Sequence, residues 1–195
     1  VFNTAPVISP TGKVIKRFQK ICPFLPFEKG VEAGSDICFF DVPEVGRFGL
    51  YICYDMWFPE LSRAMVAEGV EVILHPTLTD TCDRDVEKAM ARATAAQQQS
   101  YVVDINGTGA LGVGQSMVVG PEGEVIHEAL CGEEVILFEA DLGRVRRSRE
   151  RGILGLGQPL KSFRDGILTN AEKYASNQSP YLDSLGPLEV AKRER

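Results

Sequence analysis

The stretch FGLYICYDMWFPELSRAMVAEGVEVILHP, residues 48–76, changes its hydrophobic period twice and so decides the fold class. Phe48 to Cys53 is an apolar, partly aromatic run, the pattern of a strand buried on one or both faces. From Phe58 onward Leu61, Met65 and Val66 recur at helical spacing, with Pro59 suited to the first turn and Gly69 to the stop. Val70 to His75 returns to the buried-strand pattern. Downstream, Asp83 offers an N-cap for a second helix, with Val86, Met90, Ala93 and Ala96 or Gln97 on its apolar stripe. Tyr101 to Ile105 is a third buried run and ends at Asn106-Gly107. Strand, helix, strand, helix, strand predicts an α/β layer.

Hairpins flank this layer. Thr4–Ser9 and Lys13–Phe18 enclose Pro10-Thr11-Gly12, where proline sets a turn and glycine tolerates the positive φ that follows. A proline-rich loop, Cys22 to Gly34, leads into a further strand, Ile37 to Val42. Beyond the layer, Ser116–Val119 and Glu124–Glu128 bracket Pro121-Glu122-Gly123 as a second hairpin, and Val135 to Ala140 predicts one more strand. Residues 166–195 hold few core residues and read as a C-terminal extension, an oligomer-contacting arm or a disordered end, after a domain spanning 1–165. The chain opens at Val1 without an initiator Met and runs straight into strand-like sequence, which predicts a segment upstream.

The 195 residues carry a net charge of -6, which argues against bulk nucleic-acid binding, since phosphate contacts draw on clustered Lys and Arg. Hydrophobic residues at 44% and charged residues at 25% match a globular domain. No stretch approaches the ~18 apolar residues of a membrane span, and no signal-peptide pattern opens the chain, so no membrane partner is expected. The five cysteines, Cys22, Cys38, Cys53, Cys82 and Cys131, are odd in number and widely spaced, which suits a reduced, cytoplasmic setting. Two scattered histidines, His75 and His127, are too few for a typical zinc site, so neither metal nor other cofactor is expected.

Cys53 closes an apolar strand and stands before a helix, a place where unpaired N–H groups and the helix dipole favour a thiolate. Its position serves equally a nucleophile and a small buried apolar residue. A thiol attacking a carbonyl needs a stabiliser for the oxyanion and a proton carrier for the leaving group. Neither histidine has a Cys-His-Asn context, which leaves lysine and carboxylate. Lys20 follows directly on a strand, with Glu28 eight residues on in the same loop. Tyr54, Trp57 and the His75-Pro76-Thr77 loop are candidates to line an acyl pocket, and Asn106 to shape it or cap a turn. Glu60 and Arg63, three apart on a helix, form a candidate ion pair, and the run Arg144 to Arg151 reads as a solvated or intersubunit face.

Taken together these segments resemble the nitrilase superfamily of carbon–nitrogen hydrolases. Lys20-Ile21-Cys22-Pro23 with Glu28 is similar to its lysine motif, above all in the aliphatic amidase and formamidase branches, and Cys53-Tyr54-Asp55 with Phe58-Pro59-Glu60 to its cysteine motif. The likeness continues through His75-Pro76-Thr77, Asp104-Ile105-Asn106, Gly114-Gln115-Ser116, Pro121-Glu122-Gly123 and residues 158–163. It implies the C-terminal portion of a four-layer α-β-β-α sandwich and a Glu-Lys-Cys triad with Cys53 as nucleophile and Lys20 as cation. The triad's glutamate normally lies on an N-terminal portion that this chain does not contain, and Glu28 matches the family's second glutamate. The backbone N–H of Tyr54 would share the oxyanion.

The resemblance therefore implies a cofactor-free hydrolase of small amides that releases ammonia through a Cys thioester, and a homo-oligomer, dimer or larger. Nitriles and N-carbamoyl compounds remain alternatives within the family. A rival of another class is a non-catalytic interaction module that keeps the fold without the triad glutamate.

Overall fold

The computed structural model describes residues 1–25, 27–166 and 179–187. Among them, β1 (Thr4–Ile8) and β2 (Val14–Gln19) pair as an antiparallel ribbon on their own. The turn between them places Gly12 at φ +80, as its sequence requires. A second sheet runs β3 (Cys38–Val42), β4 (Gly46–Leu50), β5 (Val72–Thr77), β6 (Tyr101–Asn106), β7 (Met117–Val119) and β8 (Val125–Glu128), in that spatial order. β4, β5 and β6 are parallel and the outer pairs antiparallel.

Parallel neighbours need crossovers, and α1 (Pro59–Ala67) and α2 (Arg84–Gln98) supply them. Strand side chains alternate between faces, and here both faces are covered. Ile73 and Val102 join Met65, Val66, Ala91 and Ala95 in one core cluster, whereas their neighbours Val72 and Tyr101 pack with Leu142 and Val145 of α3 (Leu142–Arg151) in another. That double burial explains why the central strands read as unbroken apolar runs. Gly49 lets α1 approach, because a Cβ there would sit 2.9 Å from the Met65 sulfur and 3.0 Å from a Val70 methyl.

The structure corrects several expectations. α2 buries Arg84, Glu87, Ala91, Thr94, Ala95 and Gln98, while Val86 and Ala93 of the expected stripe face outward. Arg84 and Glu87 are tolerated inside because they pair at 3.2 Å. Asp83 stands at the N-cap, but its carboxylate accepts from the Thr81 hydroxyl instead of capping the helix. Val135 to Ala140 is not a strand: no strand pairs with it among the described residues, and Val135 and Leu137 are exposed.

Four of the five arginines of α3 bond within the chain, although Arg146, Arg147 and Arg151 are solvent-exposed as a solvated face would be. Arg144 bonds Glu124 at 2.8 Å, Arg146 bonds Glu71 at 2.8 Å and Arg147 bonds Asp141 at 2.8 Å. Arg149 donates to the carbonyls of Gln99 and Val70, and burial lowers its guanidinium to about 10. Arg63 does not pair with Glu60; it reaches the Gln97 carbonyl and lies over the Phe163 ring of α4 (Pro159–Arg164). Of the expected C-terminal extension, 167–178 and 188–195 lie outside the described residues, and α5 (Pro180–Ser184) is a short exposed helix. No helix among the described residues is long and apolar enough to cross a membrane.

Candidate active site

Two chain segments meet at the carboxyl ends of the parallel strands. The first is the end of the ribbon. Lys20 follows β2, its N–H held by the Asn3 carbonyl and its own carbonyl by the Gly34 N–H, so that its side chain is only 2% exposed. A buried ammonium needs a carboxylate partner, and Lys20 Nζ donates to Glu28 Oε2 at 2.6 Å. Glu28 also accepts from Asn3 Nδ2 at 2.6 Å and from the Phe24 N–H at 2.5 Å. Burial pushes the Glu28 carboxyl up, but these three donors outweigh it and hold it below its ordinary value.

The second segment is the turn after β4. The strand ends at Leu50, so Cys53 does not close it, and α1 begins only at Pro59. Cys53 instead opens a 3-10 turn, Cys53–Trp57, and is half-buried with φ +50. The left-handed region costs a non-glycine residue roughly 1–3 kcal/mol and persists only where its surroundings enforce it. The helix expected to act on Cys53 through its dipole thus begins six residues further on.

Asp55 ties the two segments together. It is fully buried and accepts from the Ile52 N–H at 2.9 Å and from the Cys22 N–H at 2.7 Å, so one carboxyl fixes both the nucleophile turn and the lysine loop. Burial pushes Asp55 up, and its backbone donors oppose this without cancelling it. Burial and then the neighbouring Asp55 raise the Cys22 thiol to about 12, so Cys22 stays protonated.

Beneath Cys53 lies a buried polar chain. His75 Nε2 meets the Cys53 carbonyl at 2.9 Å and Nδ1 meets Asp104 Oδ1 at 2.8 Å. Arg84 donates to Asp104 Oδ2 at 2.5 Å and to the Gln115 carbonyl at 2.8 Å. Burial raises the Asp104 carboxyl, but His75 and Arg84 prevail and lower it. Tyr51 packs edge-on against the His75 ring.

A cavity of about 490 Å³ opens above. Lys20, Glu28, Cys53, Tyr54, Trp57 and Thr77 all line it, so these six residues singled out from the sequence border one space. Pro76 borders it too, whereas His75 faces the core beneath Cys53. Asn106 lies outside its lining: its side chain accepts from the Thr79 N–H and donates to the Thr79 and Gly114 carbonyls, clasping two loops. Phe24 stacks obliquely on Tyr54, which packs against Trp57, giving the cavity an aromatic wall. The arrangement offers a thiol, a buried cation and a carboxylate beside an apolar wall, as addition to a small acyl compound requires.

Sequence reasoning missed Asn3, Asp55 and the pairing of His75 with Asp104 and Arg84. Asp55 and Asp104 each interrupt an apolar stretch, and a carboxylate there must find partners. That was the available signal.

Comparison with known proteins identifies the family. Residues 1–150 match the carbon-nitrogen hydrolase family. The omega-amidase NIT3 of Saccharomyces cerevisiae is 30% identical over 156 residues, covering 72% of this chain and 53% of that protein. The crystal structure of Saccharomyces cerevisiae Nit3, a nitrilase-superfamily member, superposes with a TM-score of 0.66 at 27% identity, covering 77% of this chain and 62% of that one. An amidase from Nesterenkonia sp. AN1, solved as a Glu-to-Gln mutant with the acetamide moiety of fluoroacetamide added covalently at its active-site cysteine, gives a TM-score of 0.62 at 28% identity and covers 66% of this chain and 51% of that one. The chain thus spans about half to two thirds of the relatives it matches. With that match spanning the ribbon, the turn that bears Cys53 and the central sheet, the chain belongs to the carbon-nitrogen hydrolase family, within the nitrilase superfamily.

Proposed function

We propose that this chain carries the nucleophile of a hydrolase that cleaves the carbon–nitrogen bond of small amides and releases ammonia. The observation that carries the reading is the convergence of Cys53, Lys20 and Glu28 on one cavity, with the lysine buried and paired. The Cys53 thiolate adds to the amide carbon, and the Lys20 ammonium and the Tyr54 N–H meet the charge that develops on oxygen. Nitrogen takes the proton that the Cys53 thiol gave up, carried by the family's triad glutamate, and leaves as ammonia, after which water hydrolyses the thioester to the acid and returns the thiol. Glu28 keeps the ammonium in place as the family's second glutamate; the triad glutamate is assigned to no residue of this chain. The acetamide adduct on the active-site cysteine of the Nesterenkonia amidase supports Cys53 as the nucleophilic atom. The same reading takes residues 1–165 as the hydrolase domain and the segment from 166 as an arm towards a second copy in a cytoplasmic homo-oligomer.

The test is ammonia release from butyramide by the wild-type protein and by Cys53→Ala, with iodoacetamide labelling read peptide by peptide. Release by the wild type is abolished in the variant, and Cys53 labels ahead of the exposed Cys82 and Cys131 and of the buried Cys38. Release that survives the substitution, or equal labelling of Cys53, Cys82 and Cys131, refutes the proposal.

A further inference from the structure

His75 lies outside the reaction just described, yet it is fully buried and spends both ring nitrogens on two specific acceptors. The Cys53 carbonyl can only accept, so Nε2 donates to it. The Asp104 carboxylate, engaged on its other oxygen by Arg84, accepts from Nδ1. Both nitrogens therefore face acceptors, and the ring is held between a carboxylate and a peptide carbonyl.

A trans peptide unit is planar, with C=O and N–H pointing in opposite directions. The carbonyl of Cys53 and the N–H of Tyr54 belong to one such unit. Pulling the carbonyl down into the core turns the N–H away from His75, towards the side on which Cys53 and Tyr54 line the cavity. The strained φ of Cys53 makes this anchor necessary, because the turn gains by relaxing if the carbonyl is released. Resting on the hydrolase reading above, we infer that His75 is a positioning residue: by holding the Cys53 carbonyl it aims the Tyr54 N–H at the oxygen that becomes negative. Asp104 and Arg84 hold His75 in turn.

The test uses butyraldehyde, which reports the oxyanion without turnover. The Cys53 thiolate bonds to the aldehyde carbon and the C=O π pair moves to oxygen, which takes over the negative charge, giving a thiohemiacetal anion with no oxidation. Alkylation of the same sulfur by iodoacetamide forms no oxyanion. His75→Asn places its amide nitrogen where Nδ1 stood, keeping the Asp104 bond and losing the carbonyl bond; His75→Gln does the reverse. In His75→Asn the butyraldehyde concentration that protects Cys53 rises about 10²-fold, while unprotected iodoacetamide labelling stays within about threefold. His75→Gln recovers most of the protection, and ammonia release from butyramide follows the same order, with the loss in kcat and not in KM.

Protection unchanged in His75→Asn overturns the inference, as does equal behaviour of the two variants. Labelling and protection that fall together, or a thermal melt showing neither variant folded, reduce His75 to a structural residue and overturn it too. A wild-type protein that butyraldehyde does not protect and that frees no ammonia removes the hydrolase reading, and the inference with it. Protection of the wild type with indifferent variants removes the inference alone.

Discussion

The ribbon β1–β2 and the central strands β4–β6 contribute to one cavity by different physical means. In β5 and β6 most side chains are buried, on both faces of the sheet, and the turn that bears Cys53 is tied into this packed layer by the buried chain of His75, Asp104 and Arg84. In β2 only Phe18 is buried, and Lys20 owes its place to polar ties: the Asn3 carbonyl, the Gly34 N–H, Glu28, and Asp55 through Cys22. The difference teaches that the Cys53 turn is held by polar bonds sealed inside a packed sheet, and Lys20 by polar bonds at the end of a mostly exposed ribbon, which hold only while their charges and donors are intact.

The largest effect expected on this contrast lies under the sheet. Arg84→Ala strands Asp104 and Glu87 without their guanidinium and destabilises the fold by about 3–5 kcal/mol in urea unfolding. A cost below about 1 kcal/mol would mean the buried chain is not what secures the sheet end. At the ribbon, Lys20→Met lowers the rate of ammonia release about 10²–10³-fold with little change in melting temperature, because Glu28 keeps Asn3 and the Phe24 N–H. A melt that collapses along with activity would erase the distinction between the two regions.

The smallest effect is a pH response confined to the ribbon. Glu28 is held below its ordinary value of 4.5, so its contribution is full above that value and is lost as pH falls through the lower folded one. Trp57, the chain's single tryptophan, borders the same cavity, and its fluorescence should change in that acid window before far-UV ellipticity does. Glu28→Gln should flatten the response. Simultaneous loss of both signals would show that ribbon and sheet come apart as one unit.

What could be read from the sequence follows the same division. The α/β alternation was legible because Val72–Leu74 and Tyr101–Val103 are apolar on both faces, and a parallel sheet is the usual place for that. Lys20, Glu28 and Cys53 stood out by spacing and by their place beside strands. The face of α2 was not legible: apolar periodicity favoured Val86, whereas the helix turns inward the side whose charges find partners 3 and 20 residues away. His75 was noticed but misplaced, since its partner Asp104 lies 29 residues on and no local pattern joins them. Val135 to Ala140 had strand composition, and composition does not supply a neighbour to pair with.

The left-handed backbone at Cys53 carries one more consequence. Glycine would occupy that conformation without steric cost, so the protein would gain robustness by giving up its sulfur. A screen selecting for thermal endurance alone would drift towards that replacement and return a sturdier, inert protein.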